Sequence, residues 1–187
     1  MPALLSNPET ASPLTALVYP DTGYPAAVFE ALVAQCRRRG LSLSGVLQHV
    51  SEVTPDPRCD VILEDLSTGL RTAIFEDRGA GASSCRLDEI ALTGVAVRIA
   101  SALENGPDVL VLNKFGKAEC EGRGLRHLIA VALDREIPVL IGVPRSNLSA
   151  WRCFAGDLGT EIGAEVGEIE RWADRLRLSV SDRLVAE

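Results

Sequence analysis

The feature that most constrains this chain is an alternation of apolar strand-like runs with helical segments. The runs at 14–19, 43–50, 108–112 and 137–143 are short, and the last two are almost continuously apolar. Strands buried on both faces read this way, because a parallel sheet needs helices above and below it. Between them, 26–39 carries Val28, Leu32 and Cys36 on one helical stripe, and Gly40 supplies the stop. Further helices are expected over about 88–104 and 124–135, in a short segment at 148–154, and over 165–177, where Ile169, Trp172 and Leu176 share a face. The stretches 60–66 and 71–75 flank Ser67-Thr68-Gly69 and predict an antiparallel hairpin inserted in the scheme. The expected architecture is a three-layer α/β domain over 14–187 with a mostly parallel sheet, preceded by a disordered polar leader at 1–13.

Charge and composition exclude several classes. With 26 acidic against 19 basic residues and a net charge of −7, the chain lacks the surplus needed for broad phosphate neutralisation, so nucleic acid is not an expected partner. No apolar run reaches the roughly 18 to 20 residues of a membrane span. Residues 1–13 lack a basic segment followed by an apolar one, so the expected location is the cytoplasm, with no membrane partner. Five cysteines without a CxxC pair fit reduced thiols. His49 and His127 sit in no metal-ligand spacing, so no metal site is expected.

In open parallel sheets, ligands bind where loops leave the carboxyl ends of strands. The loop after 108–112 reads Asn113-Lys114-Phe115-Gly116-Lys117-Ala118-Glu119, and it holds the chain's only two lysines. A hydrophobic strand ending in a polar residue matches a Walker B strand, whose terminal carboxylate holds Mg²⁺; here the position is the neutral Asn113, which lowers the expected metal affinity. The plain alternative is that Asn113 caps the strand and Gly116 makes a turn. The other strand-to-helix link, Pro20-Asp21-Thr22-Gly23-Tyr24-Pro25, stands where a phosphate-cradling loop would stand. It has one glycine, no lysine and two prolines without amide donors, and Asp21 repels phosphate. Asp21 and Thr22 nevertheless border the cleft.

A third constellation runs from Arg78 to Asp88. Gly79 and Gly81 free backbone amides, Ser83 and Ser84 offer hydroxyls, Arg78 and Arg86 offer forked donors, and a helix begins directly after. These are the parts of an oxyanion site; the alternative is a loop whose arginines pair with Asp77 and Asp88. Cys85 and Cys120 lack an activating base, and Trp151 with Phe154 reads as core or interface packing.

The segments Gly45-Val46-Leu47-Gln48, Asp65-Leu66-Ser67-Thr68-Gly69, Cys85-Arg86-Leu87-Asp88, 113–119 and Ala150-Trp151-Arg152-Cys153-Phe154-Ala155-Gly156 resemble a bacterial domain family of unknown function associated with molybdenum-related genes. More distantly, the hairpin and the Phe-Gly-Lys-Ala-Glu stretch are similar to P-loop nucleoside triphosphatases that hydrolyse ATP, GTP and thiamine triphosphate. The resemblance implies a P-loop-like (Rossmannoid) fold, with phosphate contact and water positioning falling to Gly116, Lys117 and Glu119. Asn113 and Lys114 depart from the acidic pair of that family, and the 20–25 link departs from its P-loop.

The leading expectation is a small-anion-binding protein on a degenerate P-loop scaffold, without hydrolysis, using Arg78, Arg86, Lys114 and Lys117 as donors. Its ligand is molybdate, tungstate or a nucleotide phosphate. The first alternative is a Mg²⁺-dependent nucleoside triphosphatase or phosphotransferase with a relocated lysine, in which Lys117 and Glu119 are catalytic. The second is a module that binds a protein partner, or another copy of itself, through the Trp151 and Phe154 region.

Overall fold

The computed structural model describes residues 12–50, 61–76 and 86–185. In chain order its first half consists of β1 (Leu14–Tyr19), α1 (Ala26–Arg38), β2 (Leu43–Val50), β3 (Val61–Asp65), β4 (Arg71–Ala73), β5 (Phe75–Glu76), β6 (Arg86–Leu87) and α2 (Glu89–Leu103). The second half consists of β7 (Val109–Leu112), α3 (Lys117–Cys120), α4 (Arg126–Asp134), β8 (Val139–Pro144), α5 (Leu148–Ala155), β9 (Gly159–Gly163) and α6 (Val166–Val185). Seven strands form one sheet in the order β4-β3-β2-β7-β8-β1-β9. From β2 to β9 the pairs are parallel, whereas β3 and β4 add to β2 as an antiparallel hairpin. The mostly parallel α/β sheet with an antiparallel insertion is as the sequence predicts.

Continuous burial of β7 and β8 follows from cover on both faces. Side chains alternate across a strand, so Leu110 and Leu112 enter one core with α2, α4 and α5, while Val109 and Val111 enter the other with α1 and α6. Ile169, Trp172 and Leu176 do share the buried face of α6, each at most 1% exposed. Trp172 donates its indole N–H to Thr15 Oγ1 at 3.1 Å, fixing α6 over β1. Close approach of β2 to β7 requires a glycine: Gly45 has φ +111°, and a Cβ there would lie 1.9 Å from the Val111 carbonyl oxygen.

Several elements differ from the sequence expectation. Edge strand β9 has no apolar run to announce it, since Thr160 and Glu161 are exposed. Helix α6 continues to Val185 rather than ending at 177, there being no proline or glycine to stop it. A short helix, α3, occupies part of the expected loop, and β5 pairs with β6 as a separate antiparallel ladder. Of the expected leader, Ser12 and Pro13 are tied to the fold: Ser12 Oγ donates to the Leu158 carbonyl at 3.2 Å, and the Pro13 carbonyl accepts from Val139 N at 2.9 Å. Residues 1–11 lie outside the described residues. Among the described residues no helix is long and apolar enough to cross a membrane.

Candidate functional site

Because β1, β8, β7 and β2 are adjacent and parallel, the loops that leave their carboxyl ends share one edge of the sheet. Polar side chains tie these loops laterally. Asn113, just after β7, donates from Nδ2 to Gln48 Oε1 on β2 at 3.0 Å. Phe115 N donates to the Gly142 carbonyl of β8 at 2.7 Å. Asn147, after β8, donates to the Phe115 carbonyl at 2.8 Å. Asp21, after β1, accepts from the Ser146 hydroxyl at 2.6 Å and from its amide at 3.2 Å. The chain of contacts therefore runs from β2 to β1 without leaving the edge.

The electrostatics of this edge centre on Asp21. The Ser146 hydroxyl, then the Ser146 amide, then the positive charges of Lys114 and Arg145, hold its carboxyl below the usual range. Two cations from different loops thus act on one exposed carboxylate. Behind it, the link folds back so that Tyr24 stacks on Phe29, with ring centroids 5.0 Å apart and planes 20° apart. Tyr24 also meets Tyr19 edge-on at 6.1 Å. Burial pushes both phenols well above their ordinary range.

Glu119 has a different environment from that of an exposed water-positioning carboxylate. It is 7% exposed; Oε2 accepts from Gly116 N at 2.9 Å and Oε1 accepts from Leu125 N at 3.0 Å. Both oxygens thus serve the backbone that frames α3. The Lys117 side chain is 90% exposed, with Nζ 3.9 Å from Glu121. Lys114 is exposed on the loop before it. Thr22 is exposed beside Asp21. The structure thus gathers Asp21, Thr22, Asn113, Lys114, Gly116, Lys117 and Glu119 onto the loops of one sheet edge.

Arg78, Gly79, Gly81, Ser83 and Ser84 lie outside the described residues, and Arg86 is placed only as backbone of β6. Gln48, Tyr24, Arg145, Ser146 and Asn147 were not singled out from sequence. For Arg145, Ser146 and Asn147 the one signal was position, since 145–147 follows the most apolar parallel strand. Trp151 is 1% exposed and packs edge-on against Phe115 at 5.6 Å, and Arg126 covers the Phe154 ring at 4.3 Å, so this aromatic group is packing. His49 bonds Glu64 at 2.9 Å. A cavity of about 340 Å³ adjoins α3, lined by Leu92, Ala96, Ala118, Arg123 and His127 among others.

Comparison with known proteins places the chain in a family. The family described as a protein of unknown function (DUF2478) matches residues 14–172, and the chain belongs to it. The chain is 38% identical over 137 residues to the molybdenum import ATP-binding protein ModC 2 of Bradyrhizobium diazoefficiens. That match takes in 72% of this chain, which spans only 15% of the relative's length. The fold is similar to the crystal structure of THEP1 from the hyperthermophile Aquifex aeolicus. The TM-score is 0.56 and the identity 12%, over 82% of this chain and 88% of the other.

Proposed function

We propose that the carboxyl edge of the sheet binds a small oxyanion, molybdate or tungstate in the first place, and does not hydrolyse a nucleotide. The observation that carries this is the set of bonds along the edge, Asp21 to Ser146 and Asn113 to Gln48, which brings the loops bearing Arg145 and Lys114 together and puts a neutral amide where a Walker B carboxylate would stand. Cations beside a strand that ends in a neutral amide suit an anion better than a Mg²⁺-bound triphosphate. The degenerate link supports the same reading, since Pro20 and Pro25 contribute no amide donors and the link has no lysine. Glu119 supports it too, because activating a water would require its release from two buried amides. The name of the import-protein relative favours molybdate among the oxyanions. Arg78 and Arg86 are proposed as further donors on their sequence context alone.

Isothermal titration at protein concentrations of roughly 100 μM, with molybdate, tungstate, sulfate, phosphate and ATP, tests the proposal. Binding of molybdate or tungstate is the expected result, and no heat from any oxyanion overturns it. A second reading, a nucleotide ligand, is favoured by the words "ATP-binding" in the relative's name. Mg²⁺-dependent phosphate release from ATP that disappears in Lys117→Ala would establish that reading, and release at the buffer rate would refute it.

A further inference from the structure

We infer that the outer face of α2 is a self-association surface, on which two copies of this chain pair through antiparallel α2 helices about a two-fold axis. The inference stands apart from the anion-binding reading. Of the 15 residues of α2 only Glu89 and Arg98 carry charge. Arg98 turns to one flank, where it donates to Thr72 Oγ1 at 2.8 Å and its Nε lies 3.7 Å from Asp65 Oδ2. Val95, Ile99 and Leu103 face the core. What remains is an uncharged stripe of Ile90, Thr93, Gly94, Val97, Ala100 and Ser101. Among the described residues five large apolar side chains are more than half exposed, and two of them, Ile90 at 87% and Val97 at 64%, stand on this stripe two turns apart. The other three, Leu70, Leu158 and Val166, lie singly on other segments. Single exposed apolar residues are ordinary, whereas a ridge of them beside a groove marks a contact surface.

The occupant has to be apolar, closely fitting and matched in charge, and a second copy of the same face meets each condition. The groove of about 340 Å³ runs beside the first half of α2, with Leu92 and Ala96 on one wall and Ala118 and His127 on the other. Packed helices cross at an angle. Antiparallel helices that cross at Val97 therefore set Val97 against its counterpart and lay the last turn of each α2 over the groove of the other. Gly94 permits a close approach. Glycine is unfavourable in a helix interior, and nothing inside the chain requires it here, since a Cβ would come no closer than 3.7 Å, to the Arg98 guanidinium. Charge sets the direction. At the start of α2, Glu89 and Arg123 lie 3.7 Å apart and are both more than half exposed, and Glu104 is exposed just past its end. Glu89 lies eight residues before Val97 and Glu104 seven after it, so the antiparallel crossing brings Glu104 of each copy level with Arg123 of the other. Parallel helices would instead set Glu104 against Glu104 and align the two helix dipoles. A helix of 15 residues is about 22 Å long, which suits a reversible dimer at the small end of stable interfaces, with a dissociation constant on the order of micromolar.

Sedimentation velocity on the full chain from about 1 to 300 μM spans the range in which an interface of this size dissociates. The expected result is a reversible shift from the 20.0 kDa of one chain to twice that mass. Val97→Glu should raise the dissociation constant more than about a hundredfold, because two carboxylates would meet at the axis without partners. Its circular dichroism and melting temperature at low concentration should match the parent, the side chain being 64% exposed. Glu104→Arg should weaken the dimer about fivefold by facing Arg123 with a like charge, and adding Arg123→Glu should restore it. A mass of one chain over the whole range overturns the inference and leaves the face to a different protein. A dimer indifferent to Val97→Glu overturns it by placing the contact elsewhere. A Glu104→Arg variant that Arg123→Glu does not rescue overturns the antiparallel pairing.

Discussion

The carboxylate of Asp21 accepts the Ser146 hydroxyl at 2.6 Å and the Ser146 amide at 3.2 Å, which pins the loop after β1 to the loop after β8. Those two bonds are the main reason its carboxyl titrates below its ordinary value of 3.8, with Lys114 and Arg145 adding to them. A carboxylate whose pKa is lowered by folding supports the native contact above the ordinary value, and that support is lost as the pH falls through the lowered one. The pin should therefore persist at neutral and mildly acidic pH and release only below the usual carboxylate range. Ser146→Ala should raise the Asp21 pKa toward 3.8, read by carboxyl-carbon NMR, and an unchanged titration would contradict the assignment.

Glu119 gives a stability prediction. Glu119→Gln keeps one acceptor oxygen but turns an amide group toward a backbone N–H, leaving Gly116 N or Leu125 N buried and unpaired. Urea unfolding should register a loss of about 1–3 kcal/mol. Gly124→Ala should cost at least as much, since its φ is +64° and a Cβ would sit 2.1 Å from Glu119 Oε1. An unshifted midpoint in Glu119→Gln would mean that the carboxylate does not frame α3.

The sheet was legible because β1, β2, β7 and β8 are apolar enough to demand cover on both faces, and the hairpin was legible because Ser67-Thr68-Gly69 interrupts two short runs. Strand β9 was not, since an edge strand buries too little to leave a pattern. The candidate site was legible as loops but not as bonds. Position pointed to Asn113 and Asp21, yet their partners Gln48 and Ser146 lie 65 and 125 residues away, separations that no local pattern spans. Glu119 shows the limit most clearly. A motif reads its chemistry as exposed and available, whereas burial at 7% and two backbone amides give its carboxylate a framing task.

Thiol chemistry follows from burial. Cys36 lies on the buried face of α1 at 0% exposure, and burial pushes its thiol up to about 11, so almost no thiolate forms near neutrality. Cys153 is exposed on α5. Alkylation at pH 8 followed by peptide mass mapping should label Cys153 in the native protein and Cys36 only after denaturant is added. Early labelling of Cys36 would mean that α1 separates readily from the sheet.

The two lysines should not be equivalent in ligand binding. Lys114 lies on the loop that follows β7, and its charge, like that of Arg145, helps to lower the Asp21 pKa. Lys117 instead projects to solvent, 90% exposed, and among the described residues its ion pair is the 3.9 Å contact with Glu121 on the next turn. Exposed charges a Debye length from a ligand contribute little at physiological salt, whereas a cation beside the bound group acts at short range. Lys114→Ala should therefore weaken tungstate binding about tenfold, the worth of one charge-assisted hydrogen bond. Lys117→Ala should change it by less than about twofold. Calorimetric titration of both variants separates the cases, and the reverse ranking would move the anion from the Asp21 edge onto the N-terminal turn of α3.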